Sequence, residues 1–178
     1  EGIAYCIYKY DENGNEILRQ FYDVDDQLTT GYGKYAIFEK SYDERGYLCK
    51  TRYFDVNHRL VIVDDNAGTN YVRDDRGNIT ENVPVGTDEK LARNKLISRY
   101  KYDEHDNEIE FALYDGSGRP AVNSLGYHKY LAQYNNRNQC TELSYYDTKG
   151  QLTNYSNNGF CIKRMEYDAR GNRIRTAY

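Results

Sequence analysis

One short sequence, Tyr10-Asp11-Glu12-Asn13-Gly14-Asn15, returns near the other end of the chain as Tyr167-Asp168-Ala169-Arg170-Gly171-Asn172. In both copies an aromatic residue precedes Asp, and Gly follows three positions after the Asp. Related aromatic-Asp pairs occur at Tyr22-Asp23, Tyr42-Asp43, Phe54-Asp55, Tyr102-Asp103, Tyr114-Asp115 and Tyr146-Asp147. A pattern that returns at a regular interval indicates a chain built from copies of one small unit.

The first Asp of each copy defines the length of the unit. These first positions are 29 to 33 residues apart and fall at Asp11, Asp43, Asp74, Asp103, Asn135 and Asp168. A second turn residue stands twelve positions later, at Asp23, Asp55, Gly86, Asp115 and Asp147. We therefore predict a single repeat array over residues 1–178, with approximate units 2–33, 34–64, 65–93, 94–125, 126–158 and 159–178. The last unit is truncated, and the chain begins inside a repeat, so we expect it to be a fragment of a longer protein.

The residue types at these positions predict tight turns. Asp accepts hydrogen bonds from backbone N–H groups two residues further on, and Gly adopts at no steric cost the positive φ that such turns need. We therefore predict structural turn roles for Asp11, Gly14, Asp23, Asp43, Gly46, Asp55, Asp103, Asp115, Gly118, Asp147, Gly150, Asp168 and Gly171.

The segments between the turns have the alternation of β-strands. Ala4, Cys6, Tyr8 and Tyr10 occupy every second position before the first turn, and the polar Lys9 stands between the last two. Alternation with a period of two indicates a strand with one buried face. We predict an all-β fold, an elongated tandem array of antiparallel β-hairpins with two tight turns in each unit of about 32 residues.

Residues 83–96 depart from the pattern. Pro84 stands where other copies have a strand residue, mostly an aromatic one, and residues 87–93 could form a short capped helical turn. Two interpretations stay open, a specialised insertion or hinge and simple divergence of a middle repeat.

Composition restricts the classes of partner. The net charge is -4 with both signs finely mixed, whereas nucleic-acid-binding proteins carry a basic face, so no nucleic-acid partner is predicted. No apolar run approaches the roughly 20 residues that cross a bilayer, so no membrane insertion is predicted. With 21 Tyr, no Trp and only 39% hydrophobic residues, the core is expected to be thin and built from Tyr.

No catalytic, metal or cofactor site is predicted. His58, His105 and His128 stand at positions that do not recur, and no Ser or Cys has a visible catalytic partner. Asp-rich turns such as Asp23-Val24-Asp25-Asp26 offer oxygen ligands but lack the bidentate Glu of a calcium loop. Widely spaced cysteines argue against zinc and leave the disulfide state open; they are Cys6, Cys49, Cys140 and Cys161. We expect no enzyme.

The Tyr-Asp-x-x-Gly-Asn spacing of residues 10–15 and 167–172 resembles the YD (RHS-like) repeats of bacteria. The resemblance runs through nearly the whole chain. It implies extended β-sheet ribbons, which can wrap into shells in secreted and cell-surface proteins. The ligand, the parent protein and a straight, superhelical or shell-like course stay open.

A second resemblance is to choline- and glucan-binding cell-wall repeats. Residues 21–32, Phe-Tyr-Asp-Val-Asp-Asp-Gln-Leu-Thr-Thr-Gly-Tyr, are similar to the aromatic-Asp-turn-hydrophobe-Thr-Gly-aromatic run of those repeats. Tyr32, Tyr127 and Phe160 each follow Gly and are interpreted as equivalent positions. This resemblance implies a ligand that packs against aromatic rings. The cell-wall modules rely on Trp, which this chain lacks.

The function we favour is a non-catalytic repeat scaffold or adhesion-type module of a larger bacterial surface or secreted protein. It would bind a protein or polymeric partner along a Tyr-rich face, outside the cell or at its surface. We predict Tyr32, Tyr35, Tyr127 and Tyr130 as exposed ligand-binding residues, because Tyr combines contact area with a hydrogen bond. The alternative is a carbohydrate- or choline-binding cell-wall module. The oligomeric state is left open.

Overall fold

The computed structural model describes residues 2–156 and 159–178. It contains twelve β-strands: β1 (Tyr5–Tyr10), β2 (Glu16–Tyr22), β3 (Ile37–Tyr42), β4 (Leu48–Phe54), β5 (Gly68–Arg73), β6 (Ile79–Val85), β7 (Ile97–Tyr102), β8 (Glu108–Tyr114), β9 (Lys129–Tyr134), β10 (Cys140–Tyr146), β11 (Ile162–Tyr167) and β12 (Arg173–Ala177). Neighbours in the sheet follow the order β1 to β12, and successive strands pair antiparallel. The predicted all-β fold of tandem antiparallel hairpins is confirmed. Over the described ranges there is no helix that could span a membrane.

All six repeats place their strands at the same positions. The first strand of each repeat has six residues and ends immediately before the first turn residue. The second strand has seven residues in five repeats and five residues in β12. The registers that are described for the first turn each contain a shift of one residue beside it, for example between Lys9 and Tyr10. This bulge accommodates the extra residue of the turn.

Asp and Asn side chains stabilise the first two turns, except in the second turn of the third repeat, which begins with Gly86. Asp11 Oδ1 accepts hydrogen bonds from the N–H groups of Asn13 and Asn15 at 3.0 and 2.8 Å. Asn135 makes the same two contacts through its amide oxygen, at 2.9 and 3.1 Å. The residue three positions after the turn residue has a φ between 59° and 94° in every such turn, at Gly14, Asp26, Gly46, His58, Gly77, Glu89, Asp106, Gly118, Asn138, Gly150 and Gly171.

The expected helical turn over residues 87–93 is wrong. Gly86 occupies the second-turn position, its N–H donates to Lys90 O at 2.8 Å, and Glu89 has a φ of 63°. A bridge then joins Val85 to Leu91, as Tyr22 is joined to Leu28 in the first repeat. The segment is therefore an ordinary second turn, because backbone pairing with the preceding strand outweighs the weak helical preference of a short segment.

Each of the first five repeats also has a third turn. The residue before its last position has a φ between 60° and 84° in all five, at Lys34, Asp65, Asn94, Gly126 and Gly159. The stretches between the bridge residue and this last position differ in length and comprise residues 29–34, 61–65, 92–94, 121–126 and 153–159, of which 157 and 158 lie outside the described residues. The variation in repeat length therefore lies in the third turn alone.

Tyrosine hydroxyls tie successive repeats together. The hydroxyl of the Tyr before the first turn donates to the first carbonyl of the second strand in the preceding repeat. The four pairs are Tyr42 to Glu16 O at 3.1 Å, Tyr102 to Ile79 O at 3.0 Å, Tyr134 to Glu108 O at 3.2 Å and Tyr167 to Cys140 O at 2.8 Å. This bond explains why Tyr recurs at a position where Phe would supply the same apolar ring.

The chain forms two compact units. The first comprises the residues up to Gly77 together with Asn82–Lys95, and the second comprises Asn78–Glu81 and Leu96–Tyr178. Small aliphatic residues make the tightest packing of the first unit, with Ala36, Ile37, Ala67 and Val85 at most 1% exposed. In the second unit the buried hydrophobic residues are Ala112, Leu113, Tyr127, Ala132, Tyr145 and Met165. The six repeat boundaries stay a prediction, and the boundary at residue 158 lies outside the described residues.

Hydrogen bonds in the turns lower the pKa values of their carboxyl groups. The side chain and N–H of Asn15 lower the pKa of Asp11, the N–H of Tyr47 lowers that of Asp43, and the Ser117 hydroxyl lowers that of Asp115. The pKa values of Asp55, Asp103 and Asp168 are lowered in the same way. A carboxyl group with a depressed pKa in the folded state stabilises the fold above its unfolded pKa, and this contribution is lost as the pH falls.

We therefore expect the melting temperature to fall progressively as the pH is lowered from about 5 to about 2. Thermal unfolding followed by circular dichroism across this range measures the effect. The matched control is the double variant Asp11→Asn/Asp168→Asn, because Asn135 shows that an amide oxygen supports the same turn. The variant should show a shallower pH dependence, and an unchanged slope would contradict the role of these carboxylates.

Candidate functional site

The four predicted tyrosines differ greatly in exposure. Tyr32 lies in the third turn of the first repeat and is 97% exposed. Tyr35 ends the same turn and is half-buried, with ring centroids 5.5 Å from Phe21 and 5.0 Å from Tyr53. Tyr32 is therefore available to a partner as predicted, whereas Tyr35 is packed among rings of its own unit.

The other two predicted residues are packed within the second unit. Tyr127 is 7% exposed, and its ring lies 5.1 Å from that of Tyr145. Tyr130 is half-buried and donates a hydrogen bond to Glu108. Burial, followed by the contact with Glu108, raises the pKa of Tyr130 well above its ordinary value. The exposure expected for Tyr127 is thus not observed, because the rings of Tyr145 and Tyr155 pack against it.

The structural register also corrects the comparison of Tyr32 with Tyr127 and Phe160. Tyr127 and Phe160 follow the positive-φ residues Gly126 and Gly159, whereas Tyr32 precedes the positive-φ residue Lys34. Tyr35 is therefore the equivalent of Tyr127 and Phe160. The sequence misled here because Lys, rather than Gly, occupies the left-handed position of the first repeat.

Third turns of the first unit form a continuous exposed border, which we call the third-turn edge. One groove of about 490 Å³ includes Tyr32, Lys34, Ile62 and Asp64 in its lining. A second groove, of about 360 Å³, is lined by Ile62, Asp65, Arg93, Asn94 and Lys95. Ile62 is 46% exposed, and Lys95 Nζ lies 3.2 Å from Asp65 Oδ2. The edge thus presents apolar side chains between groups of both charges.

The second unit contains a groove of about 460 Å³, which we call the aromatic groove. Its lining residues are Tyr145, Tyr155, Phe160, Lys163 and Tyr178. The centroids of Tyr145 and Tyr155 are 4.7 Å apart, and those of Phe160 and Tyr178 are 4.6 Å apart. Burial is the main cause that raises the pKa of Tyr145 to about 12, so at neutral pH this ring offers a neutral hydroxyl.

The histidines occupy structural positions. His128 is buried, with Nδ1 3.3 Å from Ala121 O and its ring edge-on to Tyr114. His58 and His105 lie in turns. In the described ranges no group of three or more His, Cys, Asp or Glu residues could hold a metal ion. The four cysteines are free. What the third-turn edge and the aromatic groove offer a partner is therefore contact surface and hydrogen-bonding groups.

Sequence reasoning missed Ile62, Asp65 and Lys95 of the third-turn edge. No recurring residue type marks their turn, because its left-handed position carries Lys34, Asp65 or Asn94 in the first three repeats and Gly only in the fourth and fifth. The Gly126-Tyr127 and Gly159-Phe160 pairs were a signal of this turn. Aligning the other repeats on those pairs would have predicted the edge.

The hairpins repeat in a common register, their turns are hydrogen-bonded through Asp, and aromatic rings pack between them. These features define a tandem β-hairpin repeat protein. No family model and no curated protein matches the sequence. The chain is similar over 96% of its length to the TcdB2-TccC3-TEV crystal structure, at 11% identity and a TM-score of 0.40. It is similar over the same share to a Photorhabdus luminescens Tc holotoxin pore, at 11% identity and a TM-score of 0.41. The chain spans about a tenth of the length of each of those chains.

Proposed function

We propose that this chain is a non-catalytic scaffold module of the YD (RHS-like) type within a larger bacterial surface or secreted protein. Its third-turn edge binds a polypeptide partner. The observation that carries this proposal is the contrast between turns: the first two have the same spacing in the repeats, whereas the third varies in length and residue type. Variable loops on a regular scaffold are where proteins commonly place binding residues.

The chemistry of the third-turn edge suits a polypeptide. Tyr32 offers a nearly fully exposed ring, and Ile62 adds apolar area beside it. Asp64 and Lys34 border the same groove. Aromatic anchors surrounded by polar groups are typical of protein interfaces, where a few such residues supply most of the binding energy.

A displayed library of random peptides, selected on the whole chain, tests this proposal. We expect Tyr32→Ala to weaken the selected peptides by roughly tenfold or more, because anchor residues commonly contribute this much. Tyr178→Ala is the matched control, since it removes an exposed Tyr, 73% accessible, from the second unit. Selected peptides that bind both variants equally would contradict a site at the third-turn edge.

The aromatic groove favours a second candidate, a carbohydrate- or choline-binding module. Phe160 and Tyr178 present rings against which a sugar or a quaternary amine can pack. A glycan array probed with the chain separates the two candidates. Glycan binding that Tyr178→Ala abolishes and Tyr32→Ala leaves intact would replace the polypeptide proposal with the carbohydrate one.

A further inference from the structure

Charged side chains recur along the third-turn edge of the first unit. The first of its third turns contains Lys34, the second contains Asp64 and Asp65, and the third contains Arg93 and Lys95. Lys95 and Asp65 pair with each other at 3.2 Å. Lys34, Asp64 and Arg93 are exposed, and none of them makes an ion pair within the described residues. Each turn therefore keeps one unpaired charge, and its sign alternates from positive to negative to positive.

These unpaired charges border the two grooves of the third-turn edge. Lys34 and Asp64 line the groove of about 490 Å³, and Arg93 lines the groove of about 360 Å³. Ile62 lines both, so the grooves meet at the second of the three turns. Tyr32 adds an exposed ring to the first groove. An extended segment that lies along both grooves would therefore pass the three charges in order.

The spacing of the third turns selects the conformation of such a segment. Successive third turns are two strands apart in the sheet, and strands lie about 4.8 Å apart, so the turns recur at roughly 9.6 Å. A polyproline II helix has three residues per turn and rises about 3.1 Å per residue, so every third side chain returns to one face after about 9.3 Å. A β-strand returns a side chain to one face after about 6.7 or 13 Å. The polyproline II period therefore fits the turns, and the β-strand period does not.

We propose, building on the polypeptide-binding function above, that the third-turn edge of the first unit binds a polyproline II segment whose every third residue is charged, in the order acidic, basic, acidic. The two acidic residues face Lys34 and Arg93, and the basic residue faces Asp64. Proline or other apolar residues between them pack against Tyr32 and Ile62, as proline-rich segments pack against aromatic grooves elsewhere. The order of signs is the same in both directions, so either chain direction of the partner satisfies it.

Two synthetic peptides with blocked termini test the order of charges. One is Glu-Pro-Pro-Lys-Pro-Pro-Glu, and the other, Lys-Pro-Pro-Glu-Pro-Pro-Lys, reverses every sign. We expect the first to bind the whole chain at least about tenfold more tightly, because three exposed attractions replace three repulsions. The net charge of the chain, -4, would by itself favour the second peptide. Titration followed by NMR measures both dissociation constants, and salt at about 1 M should remove the difference by screening.

Reversing one charge tests which residue faces which. Asp64→Lys should prefer Glu-Pro-Pro-Glu-Pro-Pro-Glu to the first peptide by at least about threefold, whereas the wild-type chain should show the opposite preference. The variant is compatible with the turn, because Lys34 already has a φ of 63° in another third turn. Glu44→Lys is the matched control: Glu44 is exposed and lies in a first turn, at the opposite end of the sheet. This control changes the net charge equally and should keep the wild-type preference.

A third peptide tests the period. Glu-Pro-Lys-Pro-Glu carries the same charges at every second residue, and its charged side chains cannot all reach the three turns. We expect it to bind at least about threefold more weakly than Glu-Pro-Pro-Lys-Pro-Pro-Glu, because it loses at least one of the exposed charge pairs. Equal affinities would overturn the polyproline II period.

The Tyr32→Ala variant distinguishes this proposal from the function on which it rests. Peptide binding that Tyr32→Ala weakens, but that is equal for the two orders of sign, would overturn the charge order and leave the polypeptide site in place. Binding of the first peptide that Tyr32→Ala leaves unchanged would contradict the site itself. If the first peptide fails to bind at about 5 mM while peptides from the random library bind and depend on Tyr32, the charge order is overturned and the polypeptide function stands.

Discussion

Replacing Gly68 by Ala is expected to destabilise the fold by about 3 kcal/mol or more, from overpacking together with backbone strain. A Cβ atom on Gly68 would lie 2.0 Å from Thr51 O and 3.0 Å from the Cα of Arg52, and Gly68 has a φ of +153°. Both neighbours are backbone atoms of the adjacent strand, with which Gly68 pairs. They cannot move aside without separating β4 from β5.

Urea unfolding of the wild-type chain and the variant measures this difference. Gly118→Ala is the matched control, because Gly118 also has a positive φ, +79°, but its Cβ would meet nothing within 4 Å. The control should lose only about 1 kcal/mol, the usual cost of placing a side chain in the left-handed region. Equal losses in the two variants would show that the close approach to Thr51 does not determine the effect.

Removing the carboxylate of Glu89 is expected to cost about 2 kcal/mol, because it leaves a buried cation with fewer partners. Arg52 is 3% exposed, and its Nη2 lies 2.6 Å from Glu89 Oε2. The guanidinium also donates to Thr51 O at 2.7 Å and to Asn70 Oδ1 at 2.8 Å. These neutral partners satisfy hydrogen bonds but do not neutralise the charge.

A double-mutant cycle in urea separates the charge from the packing. Arg52→Met/Glu89→Ala should be less destabilised than Glu89→Ala, because Met fills the space without a charge. Glu166→Ala is the control for an exposed pair: Glu166 contacts Arg175 at 2.9 Å with both side chains accessible, and its loss should cost under about 1 kcal/mol. If Glu89→Ala were no worse than this control, solvent would already be screening Arg52.

Local chemistry made the turns and strands predictable. An Asp or Asn followed three residues later by a left-handed residue specifies its turn through contacts within five residues, as at Asp11 and Asn135. Alternation before each turn likewise indicated the first strands. The helical turn expected over residues 87–93 was wrong, because the residue types of a short helical turn and of an ordinary second turn are similar. The bridge from Val85 to Leu91 shows that the segment is a second turn.

The candidate site was less predictable than the fold. Tyr32, Tyr35, Tyr127 and Tyr130 share one residue type, yet their exposure ranges from 97% for Tyr32 to 7% for Tyr127. What separates them is the packing of rings that are distant in the sequence, such as Tyr145 against Tyr127. A ring can serve as core or as contact surface, and only its neighbours in space determine which.

The sequence by itself determined the repeat, its strands and the first two turns, because these depend on residues only a few positions apart. The tertiary structure alone decided that the Tyr before the first turn bonds, in four repeats, to a carbonyl of the preceding repeat, as Tyr42 does to Glu16. It also decided which third turns meet at one edge. Those features depend on atoms that are more than twenty residues apart in the chain, and only pairing and packing of whole strands bring such atoms together.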